Sequence, residues 1–101
     1  MKILKIKPEY QCSPLWIEED NKIAANINLS EINLDNEIKD RLQRWAEEFD
    51  LTLNQDYPPD SKFKTVQDEI NFENEGLAIW ELLKKYHAKE YEAIIYKSVV
   101  H

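Results

Sequence analysis

Lysine and apolar residues alternate along Lys2-Ile-Leu-Lys-Ile-Lys7, the two-residue period of a strand that turns Leu4 and Ile6 to a core and Lys5 and Lys7 to water. Pro8 ends that strand. Cys12-Ser-Pro-Leu-Trp-Ile17 reads as an irregular or short extended piece, because Pro14 biases Ser13 away from helix while Leu15, Trp16 and Ile17 offer a large apolar surface. Glu18-Glu19-Asp20-Asn21 reads as a turn. A weaker strand follows from Ile23 to Leu29, with Ile23, Ala25, Ile27 and Leu29 on one face and asparagines, poor strand formers, between them.

From about Asn36 to Phe49 the period changes to that of a helix. Ile38, Leu42, Trp45 and Phe49 recur at spacings of four, three and four, with Asp35 placed as the N-cap and Glu37 at the positive end of the helix dipole. Leu51-Thr-Leu53 reads as extended, and Tyr57-Pro-Pro59 as a stiff turn near polyproline geometry, since each proline fixes its own φ and restricts the residue before it. Thr65 followed by Asp68 resembles a capping box and starts a second helix that runs to about His87. Phe72, Gly76, Ile79, Leu83 and Tyr86 form its core stripe, which Ile70, Leu77 and Trp80 are expected to widen. Gly76 in mid-helix costs about 1 kcal/mol against alanine, which predicts the close approach of another backbone. Ala93-Ile-Ile-Tyr-Lys-Ser-Val-Val100 is apolar on both alternating faces, as an interior strand would be.

Composition narrows the class. With 101 residues, 43% hydrophobic, three tryptophans and a single glycine, the chain is expected to form one packed domain over residues 1–101, with neither linker nor disordered tract. One cysteine cannot form an internal disulfide, and no run is apolar enough for a signal peptide or a membrane span, so a reducing cytoplasm is the expected compartment.

The net charge of −7 is unevenly spread: residues 1–17 carry +2, residues 18–75 carry sixteen acids against six bases, and residues 76–101 carry +1. A surface of that sign repels nucleic acid and anionic lipid and speeds the encounter with basic proteins. Neither a nucleic-acid nor a membrane partner is therefore expected.

Catalytic chemistry has little support. His87, His101 and Cys12 fall in separate segments, with no spacing of a Cys-His pair or a metal site. Cys12 is expected to be a small buried apolar residue, and His87 a helix-end residue well placed in the dipole. Asn54, Asp56, Asp60, Asp68 and Glu69 do not space as a calcium loop, which needs a mid-loop glycine and a closing glutamate at its twelfth position. Asp56 and Asp60 are suited to bond turn amides, and Asp68 and Glu69 to occupy a helix N-terminus. No cofactor, metal or small-molecule substrate is expected.

Cys12-Ser-Pro-Leu-Trp16, Arg41-Leu-x-x-Trp45, Phe49-Asp50-x-Thr52-Leu53-Asn54-x-Asp56-Tyr-Pro-Pro-Asp-Ser61 with Phe63, and Phe72-Glu73-x-Glu75-Gly76 with Trp80 together resemble a family of small bacterial proteins. That family includes immunity proteins of contact-dependent growth inhibition systems. The pattern spans about residues 10–86 and departs at Lys62, where a glycine is expected. The resemblance implies a cytoplasmic antitoxin that binds one copy of a cognate toxin domain and blocks its active site without catalysis of its own.

A basic ribonuclease would suit the charge, because carboxylates can occupy a groove built for phosphates, and carboxylates on a stiff turn lose less freedom on binding. The candidate contacts are Glu18, Glu19 and Asp20 on one turn, Asp56, Tyr57 and Asp60 on the other, and Asp68, Glu69 and Glu73 early in the second helix. Tyr57 is the expected aromatic anchor. An acidic adaptor or homo-oligomeric structural protein is the alternative from a different class, and a carboxylate enzyme using the Asp56–Glu73 group a third. The fold expected is α+β: a small sheet containing the N- and C-terminal strands, packed against two amphipathic helices.

Overall fold

The computed structural model describes residues 2–20, 22–54, 56–57 and 62–97. Three strands come first: β1 (Lys2–Ile6), β2 (Leu15–Glu19) and β3 (Ala25–Ile27). A 3-10 turn at Leu29–Glu31 leads into the helices α1 (Asn36–Asp50) and α2 (Val66–His87), and a second at Ala88–Glu90 leads into β4 (Ala93–Tyr96). The strands form one mixed sheet in the order β3-β2-β1-β4, with β1 antiparallel to β2 and parallel to β4. The fold is α+β, and the N- and C-terminal strands are neighbours in the sheet.

Strand register decides which side chains meet the helices. Leu4 lies opposite Ile17 and Ile94, Ile6 opposite Leu15 and Tyr96, and Leu15 also opposite Ile27, so all of these share one face. Leu4, Ile6 and Leu15 are fully buried there, joined by Ile38, Leu42 and Trp45 of α1 and Phe72, Ile79 and Leu83 of α2. The helix ends form as the sequence dictates. The Asp35 side chain accepts from the Glu37 amide at 2.9 Å, and Thr65 Oγ1 accepts from the Asp68 amide at 3.0 Å.

The helices run antiparallel, since contacts move down α2 as they move up α1. The Arg41 guanidinium grips the Glu75 carboxylate with two bonds of 2.9 and 2.7 Å, and one turn later Trp45 stacks on Phe72 with ring centroids 4.5 Å apart. Trp45 Nε1 also donates to the Phe72 carbonyl at 2.8 Å, which satisfies the one polar atom of a residue only 1% exposed.

Several expectations are corrected. Glu18 and Glu19 belong to β2 rather than to a turn: Glu18 is salt-bridged to Lys5 and Glu19 lies opposite Lys2, so cross-strand charge pairs extend the strand. The turn narrows to its far end, where Asp20 adopts φ 49° and the Lys22 amide donates to the Glu19 carbonyl. Asn21 lies outside the described residues.

The weak strand shrinks to Ala25–Ile27, leaving Ile23 at 96% exposure and Leu29 in a 3-10 turn. Asn26, which argued against a strand, holds it in place, because its side-chain amide donates to the Ser13 and Leu15 carbonyls and its oxygen accepts from the Ser13 amide. Leu51-Thr-Leu53 is not extended. The amides of Leu51, Thr52 and Leu53 donate to the carbonyls of Glu47, Phe49 and Asp50, so α1 unwinds through tight turns and Leu51 is exposed.

What closes on Gly76 first is side chain rather than backbone: a Cβ there would lie 2.7 Å from Trp45 Cζ2 and 2.7 Å from the Tyr96 ring. The close approach is made by aromatic side chains. The last strand is an edge rather than an interior strand, with Ile94 buried on the helix face and Ile95 half-buried on the other, opposite Lys5. Its expected continuation through Val99 and Val100, and the polyproline turn at Pro58 and Pro59, lie outside the described residues. Finally, Tyr86 leaves the core stripe and Ile70 and Leu77 do not widen it; all three are exposed. α2 meets α1 on one side and β4 beneath, and these contacts bury the stripe from Phe72 to Leu83, which Trp80 widens as expected by packing half-buried against it.

Candidate partner-binding surface

The sheet separates the described candidate carboxylates into two groups at opposite ends of the molecule. Pairing puts Glu18 opposite Ile3 at the end where β4 begins, whereas Ile6, Leu15 and Tyr96 mark the other end. The Tyr96 hydroxyl donates to Glu73 and Trp80 Nε1 to the Ile94 carbonyl, so α2 starts beyond the Tyr96 end and finishes beside the Glu18 end. A 22-residue helix is roughly 33 Å long, so Asp68 and Glu69 are separated from Glu18, Glu19 and Asp20 by most of the length of the molecule.

At the α2 N-terminal end the turn is built by Asn54. Its side-chain oxygen accepts from the amides of Asp56 and Tyr57 at 3.1 and 3.0 Å, an Asx turn that leaves the Asp56 and Tyr57 side chains exposed, Tyr57 at 64%. The amides of Asp56 and Tyr57 are thus bonded by Asn54. Asp60 lies outside the described residues. Behind the turn, Thr52 Oγ1 donates to the Phe49 carbonyl and meets the Tyr10 hydroxyl at 2.7 Å, while Tyr10 stacks on Phe49 at 4.3 Å. The Gln11 amide, on a residue with φ 60°, donates to Asp50 Oδ1 at 2.9 Å. Phe63 packs against Phe72, tying the far end of the linker to α2.

Many of the described residues that carry the family resemblance are therefore occupied internally, whereas Asp56 and Tyr57, part of the same pattern, are exposed. Trp45 and Phe72 stack, Gly76 leaves room for the Trp45 and Tyr96 rings, Arg41 and Glu75 join the helices, Asp50 and Thr52 hold the 10–13 loop, and Asn54 shapes the turn. Of the candidates, Asp56, Tyr57 and Asp68 are exposed, Glu69 is half-buried, Glu73 is held by Tyr96, and Glu18 is paired with Lys5. Glu69 and Glu73 border a shallow depression of about 430 Å³ with Val66, Ile70 and Asn74. Sequence periodicity assigned Ile70 to the core and passed over Val66. The missed signal was that α2 has more apolar positions than one buried stripe can take.

Ionisation follows burial. Burial first, and then the hydrogen bond to Glu73, push the Tyr96 hydroxyl far above the ordinary tyrosine range. The group stays protonated and keeps donating to Glu73. Burial likewise raises Tyr91, helped by the charge of Glu90. His87 ends α2 with Nδ1 3.1 Å from Glu90, while its buried Nε2 has no hydrogen-bond partner among the described residues. Cys12 is half-buried rather than buried, in a cleft with Gln43, Glu47 and Asp50. No group of three or more His, Cys, Asp or Glu side chains among the described residues is placed to hold a metal ion, and no described helix is long and apolar enough to cross a membrane.

No curated protein sequence matches this one. A family model described as Serratia CdiI immunity protein-like matches residues 2–98, and with nearly the whole chain covered the protein belongs to that family.

Proposed function

We propose that this protein binds the toxin domain encoded beside it and neutralises it, that the toxin is a basic nuclease, in particular a ribonuclease, and that the complex is 1:1 and non-catalytic. The observation that carries the reading is membership of an immunity protein family in a chain whose residues 18–75 hold sixteen acids against six bases. A groove that grips RNA is lined with Lys and Arg, so a carboxylate-bearing surface enters it with favourable steering and displaces substrate.

The end of the molecule that holds the Asn54 turn and the start of α2 suits this role better than the Glu18 end. Asp56, Tyr57 and Asp68 are exposed there on backbone held by side-chain bonds, so little freedom remains to be lost on binding. At the other end, Glu18 already has Lys5 as partner. Asp60 belongs to the same turn in sequence and is assigned the same role. Action on a toxin that reaches RNA places the protein in the cytoplasm. The test is to mix the purified chain with the neighbouring toxin domain and follow RNA cleavage. Cleavage stops at one equivalent on this account, and cleavage that continues in large molar excess refutes it.

A further inference from the structure

We infer that the outward face of the first three turns of α2 is the partner's anchoring surface, and that the segment docking there carries apolar side chains flanked by Lys or Arg. This rests on the toxin-neutralising reading above and adds an apolar component that charge alone does not supply. Val66, Ile70 and Leu77 are 73, 46 and 41% exposed. At 100° per residue they fall within roughly 40° of one another, so they form one stripe rather than three scattered side chains. Isolated exposed apolar residues are ordinary, but an aligned set on a helix that already buries a separate apolar stripe marks a contact surface.

The charges around the stripe select the occupant. Residues 66–77 contain no Lys or Arg, and the two acids beside the stripe are Glu69 and Glu73, whereas Asp68 and Glu75 lie on the opposite side of the helix, where Glu75 grips Arg41. Glu73 sits within the stripe itself, where the Tyr96 hydroxyl holds its carboxylate at 2.9 Å, and Glu69 flanks it across the depression shared with Val66 and Ile70. A second copy of this chain is a poor occupant, because pairing two such faces brings acidic sets of the same sign together. A basic segment with apolar anchors meets both requirements, the apolar knobs supplying affinity and the oriented carboxylates supplying register and exclusion of acidic competitors.

Calorimetric titration of the neighbouring toxin domain into three forms of the full chain tests this. Val66→Ser/Ile70→Ser/Leu77→Ser changes only exposed side chains, and its circular dichroism and melting temperature serve as the folding control. Affinity is expected to fall about tenfold or more in that variant, while Glu18→Gln/Glu19→Gln/Asp20→Asn at the far end binds like wild type. If the α2 variant binds as tightly as wild type, or if wild type sediments as a dimer that the α2 variant abolishes, the inference is overturned while toxin neutralisation stands. A folded wild-type chain that does not bind the toxin domain removes both.

Discussion

Gly76 is the residue on which the helix pair depends most sharply. Adding one methyl there improves helix propensity by about 1 kcal/mol, but the methyl meets Trp45 Cζ2 and the Tyr96 ring at 2.7 Å. Both rings are fixed by hydrogen bonds of their own, from Trp45 to the Phe72 carbonyl and from Tyr96 to Glu73, so neither can give way cheaply. Overpacking of this kind costs about 1–3 kcal/mol, and Gly76→Ala is expected to lower the urea midpoint of unfolding rather than raise it.

Tyr96 carries a second consequence at the same scale. Its folded pKa is raised, so its contribution to stability is complete below the unfolded value near about 10 and is lost as pH rises toward the folded value. Stability of the wild type should therefore fall faster than that of Tyr96→Phe above about pH 10, as urea titrations of both proteins would read. A constant gap between the two curves across that range would contradict the assignment.

At the scale of elements, α1 and α2 were legible from sequence because their stripes and caps are local: Asp35 and Thr65 cap where spacing put them. The sheet was less so. β2 runs on into Glu18 and Glu19 because Lys5 reaches Glu18 diagonally across the strands and Lys2 lies opposite Glu19, a fact about pairing that one strand's composition does not contain. β3 is short and polar, and its position depends on Asn26 reaching the Ser13 and Leu15 carbonyls. Asn26→Ala is expected to cost about 1–2 kcal/mol and to speed hydrogen exchange in Ala25–Ile27 before any other element. Uniform acceleration through α1 and α2 would show instead that β3 is not held separately. The acidic candidates were found by charge alone, which cannot tell Glu73, bonded to Tyr96, from an exposed carboxylate such as Asp56. The apolar stripe of α2 was hidden because helical period marks apolar residues without saying which of two faces the sheet will cover.

Across the whole molecule, many residues of the family pattern form the frame, while Asp56 and Tyr57 of the same pattern and the side chains proposed to meet a partner lie on its surface at one end. Trp45, Phe72 and Gly76 lock the helices, and Asn54 shapes the turn, while Asp56, Tyr57, Asp68, Val66 and Ile70 face outward beside them. A chain with a net charge of −7 that meets a basic partner should associate faster at low salt, and raising ionic strength should slow association far more than it speeds dissociation. Stopped-flow mixing across a salt series would read this directly, and salt-independent association would count against electrostatic steering.

The central claim is neutralisation of a toxin, and protection of living cells tests it most directly. The toxin domain encoded beside this chain is induced in a bacterial host with and without the chain present, and growth is followed. The account predicts arrest without the chain and normal growth with it. Arrest in both cultures, with the chain folded and abundant, would contradict it.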